Sequence, residues 1–233
     1  VADDASVKRM VDETLDRYNL CAPAGPEGAR RRAAVHEMVA RVLAAPLPTP
    51  DGPVSLAGIP LRARRSELRF DFPLQRREGG RALGALAAVL DRHWRTPARD
   101  DAFLAALARA ERRLPQGFMS GAIDLLFEHG GRFYIVDWKS NLLEGRRESF
   151  ASRSLARAMA AHFYYLQYII YAVAAEDFLR QVLEDYDHER HFGGVFYLFL
   201  RGVSEAGDAG IFHDRPSAAC IEAAARFLAG DGT

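Results

Sequence analysis

The sequence predicts an α/β fold, a mixed β-sheet flanked by helices, and three observations carry that prediction. Two apolar, β-prone runs, GFMSGAIDLLFE and FYIVDWK, stand on either side of Gly130-Gly131; a further buried strand reads GVFYLFL at 194–200; and long alanine- and leucine-rich stretches precede, separate and follow them. At 233 residues and 49% hydrophobic, the chain is large enough for one core with a helical annex. The expected division is a helical N-terminal part over 1–60 and a core over 61–233 that carries a helical insertion at about 79–115.

Along the chain, Val7, Met10, Val11, Leu15 and Tyr18 recur near helical spacing with acids between them, predicting an amphipathic helix over 4–18 before a Pro/Gly loop at 22–28. A second helix is predicted from about Ala29 to Ala44, its Arg30–Arg32 cluster reading as a solvated face or, less often, a phosphate-binding patch. Pro46, Pro48, Pro50 and Pro53 break the chain, after which SELRFDF at 66–72 alternates as a half-buried strand does. Helices follow over 81–95 and 100–113, both between strands. Beyond the glycine pair come a helical block over about 150–183, the buried strand and a terminal helix near 217–229.

Composition excludes several classes. With 31 basic and 31 acidic residues the formal charge is zero, so any contact with a polyanion must come from local clustering. Cys21 and Cys220 lie far apart with no CxxC pair, too few for a cysteine-built zinc or iron–sulfur site. The longest apolar stretches, such as 193–200, fall short of the ~20 residues that cross a bilayer, and the N-terminus is acidic; a soluble, cytoplasmic protein with no membrane partner is expected. The chain opens on Val1 instead of methionine, as expected of a processed or excised segment. Only Lys8 and Lys139 among the basic residues are lysine, which favours a chemical need for lysine where it occurs.

The glycine pair suits the positive backbone angles of a two-residue hairpin turn. Asp124 and Asp137 are equidistant from that turn, so they are expected to be direct cross-strand partners with Cβ atoms about 4.5–5.5 Å apart. Two carboxylates so close repel unless a cation lies between them. Alternation places Lys139 on the same face as Asp137, turns Trp138 the other way, and sets small Ala122 opposite Lys139. Apolar Ile123, Leu125, Phe127, Tyr134 and Val136 surround the three polar groups. Carboxylate-bound magnesium with a neighbouring lysine is a set suited to phosphodiester hydrolysis: the metal activates water and offsets phosphoryl charge, and the ammonium orients the water. The bland alternative is a hairpin with three surface charges.

The strings G-x-I-D-L, V-D-W-K-S-N and L-Q-Y-x-x-Y, in that order, resemble the PD-(D/E)XK nucleases. More narrowly they resemble the C-terminal nuclease domain of RecB-type helicase–nucleases, densely from Gly121 to Val203 and sparsely upstream through VLAAPL at 42–47 and ELRFDFPL at 67–74. The resemblance implies a restriction-endonuclease-like PD-(D/E)XK core and a Mg2+-dependent nuclease acting mainly on single-stranded DNA in double-strand break repair and recombination. It implies RecC and RecD subunits as partners through the parent protein. It assigns Asp124 and Asp137 as metal ligands, the backbone carbonyl of Trp138 as a further one, Lys139 as the catalytic lysine and Glu67 as an acidic residue of the same site. Gln167 and Tyr171 match the family's Q-x-x-x-Y pair. Their spacing puts both on one helix face, where they would contact DNA phosphate or brace the site, with a plain core role as the alternative.

The family also has a metal-binding histidine in a G-x-x-x-H context on an early helix. His36 lacks the glycine and lies just before VLAAPL, so the counterpart is expected upstream of Val1 and metal binding is expected to be weak. Among the other histidines, His162 and His191 are the two whose distance from the site matters. Arginine pairs at 64/65, 76/77, 112/113 and 146/147 are candidates to line a DNA path, each reading singly as solvated. No G-x-x-x-x-G-K-S/T loop is present, so no motor lies in this segment. A second function implied by the resemblance is docking of the RecA recombinase on a helical surface between 150 and 190.

Overall fold

In the computed structural model, residues 4–21, 25–74, 82–114, 117–143, 150–207 and 209–230 are described. The arginines at 76/77 and 146/147 lie outside them. Helices α1 (Asp4–Arg17) and α2 (Pro26–Ala44) precede strand β1 (Arg64–Leu74); α3 (Gly84–His93) and α4 (Asp101–Ala108) follow before the hairpin β2 (Gly117–His129) and β3 (Arg132–Lys139). Next come α5 (Ser152–Ala161), α6 (Tyr164–Val182), a short α7 (His188–His191), β4 (Phe192–Phe199), β5 (Ile211–Asp214) and α8 (Ala218–Ala229). The five strands form one mixed sheet in the order β1-β2-β3-β4-β5, antiparallel except for the β3/β4 pair.

The hairpin turns as its glycines require, with φ of 60° at Gly130 and 75° at Gly131. That turn sets the pairing from His129↔Arg132 to Leu125↔Val136. Strand β4 runs parallel to β3 in the sheet interior, and all eight of its residues are buried, which is why it reads as an unbroken apolar run.

The sheet separates two cores. On one face α3 to α6 and α8 bring Leu86, Trp94, Phe103, Met159, Tyr168 and Ile221 against Ile135, Val195, Tyr197 and Phe199. On the other, the end of α2 and the segment after it lay Val42, Ala45, Leu47, Leu56 and Ile59 over Leu125, Phe127, Val136, Phe196 and Leu198. Residues 135, 137 and 139 therefore look toward the α6 layer, and the even positions between them look toward the N-terminal layer.

The helical block expected over 150–183 is two helices. Phe163 takes a left-handed φ of 56° between them, a break that no glycine or proline signals. Strand β5 and helix α7 were not foreseen; each has only four residues. No helix of the described residues is long and apolar enough to cross a membrane.

Strand β5 ends on buried Asp214, whose Oδ2 accepts from Tyr168 Oη at 2.7 Å, Thr96 Oγ1 at 3.0 Å and Trp94 Nε1 at 3.3 Å. One carboxylate thus ties the exit of α3 and the middle of α6 to the sheet edge. Asp214→Ala leaves the buried Tyr168 hydroxyl and Trp94 indole without that acceptor and should cost about 3 kcal/mol. Urea unfolding should show a lower midpoint at an unchanged slope, with Asp214→Asn losing less because it keeps an oxygen there.

Candidate active site

The hairpin ladder ends one step before the pair of aspartates. Strand β2 pairs with β3 only up to Leu125↔Val136; beyond it β2 continues along β1, with Ile123 opposite Leu68, while β3 continues along β4, with Asp137 opposite Tyr197. The two carboxylates therefore flank a fork between diverging strands and are not ladder partners, as the turn alone had suggested. Ala122 pairs with Arg69 of β1 instead of facing Lys139. Into the fork Asp124 Oδ2 accepts the Trp138 N–H at 2.9 Å, replacing the strand partner that this amide loses. In an extended strand the N–H and C=O of one residue point the same way, so the Trp138 carbonyl also opens toward the fork.

Glu67 occupies the β1 position opposite Asp124, where its left-handed φ of 51° interrupts the ladder between Ser66↔Leu125 and Leu68↔Ile123. A glutamate held there is strained, and such strain persists where the surroundings impose it. Its side chain is exposed. Its charge reaches Tyr171: burial first, and the charges of Asp137, Asp124 and Glu67, push that hydroxyl up against the pull of its hydrogen bond from Gln167.

Asp137 and Lys139 are both buried, with 2% and 8% exposure. Lys139 Nζ stands 2.5 Å from Asp137 Oδ2 as an ion pair, but that oxygen makes no hydrogen bond of proper geometry. The ammonium also donates to Gln167 Oε1 at 2.8 Å and lies 3.9 Å from the centre of the Tyr164 ring and 5.0 Å from that of Tyr197. Gln167 Oε1 further accepts from Tyr197 Oη at 3.2 Å, and Gln167 Nε2 donates to Tyr171 Oη at 2.9 Å. Tyr164, Gln167 and Tyr171 sit at helical spacing on α6, so one face of that helix covers the lysine.

Both ends of the Gln167 amide are thus engaged with the site itself, and of the two roles expected for the Gln167–Tyr171 pair the geometry displays the bracing one. Tyr171 is propped by an edge-to-face contact with Phe70, ring centres 5.8 Å apart. Gly121 makes room for that ring, since a Cβ there would lie 2.5 Å from Phe70 Cζ.

The other sequence candidates lie elsewhere. His36 Nε2 is 2.8 Å from Asp12 Oδ1, pinning α2 to α1. Arg32 of the arginine cluster reaches Asp12 at 2.7 Å and Asp16 at 2.5 Å, and Arg31 pairs with Glu27. His191 Nδ1 accepts from the Asp187 amide at 2.9 Å in the α7 turn. His162 is nearer the lysine: it stacks on Tyr164 with ring centres 5.3 Å apart and meets Asn141 Nδ2 at 3.3 Å.

Burial pushes the Asp137 carboxyl up to about 6, with the Lys139 ammonium pulling it down and the Asp124 charge adding to the rise. A buried, ionisable oxygen with an ion pair but no hydrogen bond, next to a second carboxylate and a free-facing carbonyl, is a hard-oxygen set that fits a divalent cation. Among the described residues no third carboxylate, imidazole or thiol joins the cluster.

The sequence profile of the PD-(D/E)XK nuclease superfamily matches residues 10–228. The chain belongs to that superfamily. It is similar to the RecBCD enzyme subunit RecB of Escherichia coli K12, 37% identical over 83% of this chain and 16% of that protein. It is also similar to RecB of Haemophilus influenzae, 44% identical over 46% of this chain and 9% of the relative, and of Mycobacterium tuberculosis H37Rv, 32% identical over 89% and 20%. The chain therefore spans at most a fifth of these relatives. PD-(D/E)XK nucleases depend on divalent metal ions, in keeping with the oxygen set at the fork.

Reasoning from sequence missed Tyr164 and Tyr197. Tyr164 precedes Gln167 by three positions and Tyr197 alternates with buried Val195 and Phe199, so both signals were in place once Lys139 was taken as the centre.

The Asp137 shift has a definite sign. Between about pH 4 and the folded value of about 6 the folded chain holds a proton that the unfolded chain releases, so the metal-free fold loses stability as pH rises through that window. A cation must displace the same proton. Calorimetric titration with manganese should give a Kd that weakens about tenfold per pH unit below about 6 and levels off above it. A Kd indifferent to pH across that range would remove Asp137 from the ligand set.

Proposed function

We propose that this chain is the nuclease module of a RecB-type helicase–nuclease and hydrolyses phosphodiesters of single-stranded DNA with Mg2+ during double-strand break repair and recombination. The observation that carries the reading is the convergence of two carboxylates and one ammonium at the β2/β3 fork, inside a chain of the PD-(D/E)XK nuclease superfamily. Asp124, Asp137 and the Trp138 carbonyl are the groups to hold the ion, and Glu67 stands at the same rim. When bound, the ion supplies water activation and offsets charge on the phosphoryl group and the leaving oxygen.

Lys139 acts from beside Asp137. Its ammonium is held by the carboxylate and by Gln167, so it enters the reaction oriented toward the attacking water and the developing negative charge, with little reorganisation left to do. Gln167 and Tyr171 keep that orientation. Arg64 and Arg65, at the start of β1, are candidates for phosphate contacts along the strand's path. The relatives' name, RecBCD enzyme subunit RecB, makes RecC- and RecD-type subunits the proposed partners.

The test is cleavage of single-stranded DNA with magnesium by the wild type and by Asp124→Ala, Asp137→Ala and Lys139→Ala. Each variant should lose about a hundredfold or more in kcat, with Asp137→Ala and Asp124→Ala also losing metal binding while Lys139→Ala retains it. Equal cleavage by wild type and Asp137→Ala would sink the nuclease reading.

A further inference from the structure

We propose that Tyr164 is a positioning residue for Lys139, its ring face confining the ammonium to the fork; the inference rests on the nuclease reading above. A lysine side chain has a flexible four-carbon stem, and a carboxylate and an amide oxygen on one side do not stop it from swinging out. The Tyr164 ring centre lies 3.9 Å from Nζ, against 5.0 Å for Tyr197, and supplies the wall that the polar partners leave open. Asp137 Oδ2 at 2.5 Å, Gln167 Oε1 at 2.8 Å and that ring face are together the near neighbours of the ammonium.

The ring is itself held by the segment that follows the lysine's strand. Tyr164 Oη donates to Asn141 Oδ1 at 3.0 Å, and Asn141 stands two residues beyond Lys139. Asn141 Nδ2 meets His162 Nε2, and His162 stacks on the Tyr164 ring at an interplanar angle of 25°. Lys139, Tyr164 and Asn141 thus close a loop across β3 and α6. The left-handed Phe163 between His162 and Tyr164 starts α6 at the register that brings residues 164, 167 and 171 over the lysine, a conformation a bulky residue seldom adopts. Tyr197 lies wholly in the core, whereas Tyr164 is only partly buried, so Tyr164 is the wall that can be altered without opening the core.

The chain has two lysines, which makes the geometry measurable in the metal-free protein. Isotope-labelled lysine yields two sets of side-chain resonances, and Lys139→Arg identifies which set is which. In the wild type the Lys139 ε-protons are expected upfield of those of exposed Lys8, as protons over an aromatic face are; Tyr164→Phe keeps that displacement and Tyr164→Leu removes most of it. In magnesium-dependent cleavage of single-stranded DNA, Tyr164→Leu is expected to lower kcat about tenfold at unchanged KM, Asn141→Ala to lower it less, and Tyr164→Phe to recover most of the Tyr164→Leu loss. A Lys139 signal coincident with that of Lys8 in the wild type overturns the proposal. So does wild-type kcat in Tyr164→Leu when Asp137→Ala is inactive. Undiminished cleavage by Asp137→Ala is a different failure, removing the nuclease reading and the role of Tyr164 with it.

Discussion

The divergence of β2 from β3 is the constraint on which the site depends. Up to Leu125↔Val136 the two strands satisfy each other; beyond that point β1 holds one and β4 holds the other. Backbone amides at such a fork lose their partner, and a buried one left bare would cost about as much as a lost hydrogen bond. Asp124 meets that demand by accepting the Trp138 N–H. A single side chain therefore takes the place of the missing strand partner where the ladder ends. The gap is rigid because each of its walls remains in a ladder on the far side.

Burying Asp137 and Lys139 together makes the site costly to assemble and specific in what it accepts. Desolvating each ion costs several kcal/mol, and the ion pair between them offsets this only with further partners. Gln167, Tyr164 and Tyr197 serve the lysine, and all three face it because β4 runs beside β3 and α6 crosses above. The other buried acids among the described residues have several partners each. Asp214 has three donors on one oxygen, and Glu176 is shared between His188 at 2.5 Å and Arg180 at 3.0 Å. Asp137 differs in that its Lys139-paired oxygen lies beside a second carboxylate, so one ammonium faces two acidic charges there.

Much of this was legible in the residues, for local reasons. A two-residue glycine turn sets register without help from the rest of the chain, so the pairing from His129↔Arg132 to Leu125↔Val136 could be read from the hairpin alone, and the helices followed from apolar spacing. The end of the ladder could not be read that way, because it depends on β1 and β4 competing for the same two strands. Spacing put Gln167 and Tyr171 on one helix face but could not aim that face at Lys139, since the start of α6 is governed by a left-handed phenylalanine that carries no signal of its own. Strand β5 escaped notice because Ile211–Asp214 is short and half polar, and its main anchor, Asp214, bonds to Trp94 and Thr96 more than a hundred positions away.

The chemistry and the marginal stability of the metal-free site have a common origin. A carboxyl pushed up to about 6 has lost solvation that the lysine beside it only partly replaces. A divalent cation held by Asp124 and Asp137, as proposed, would offset more of that loss than the lysine can, because it would also reduce the repulsion between the two carboxylates. With such an ion bound the ammonium would be drawn less to Asp137, and the amide of Gln167 and the aromatic faces would hold it in place. The aromatic and amide wall on α6 is then the part of the site that would let one buried aspartate serve both the lysine and the proposed metal ion.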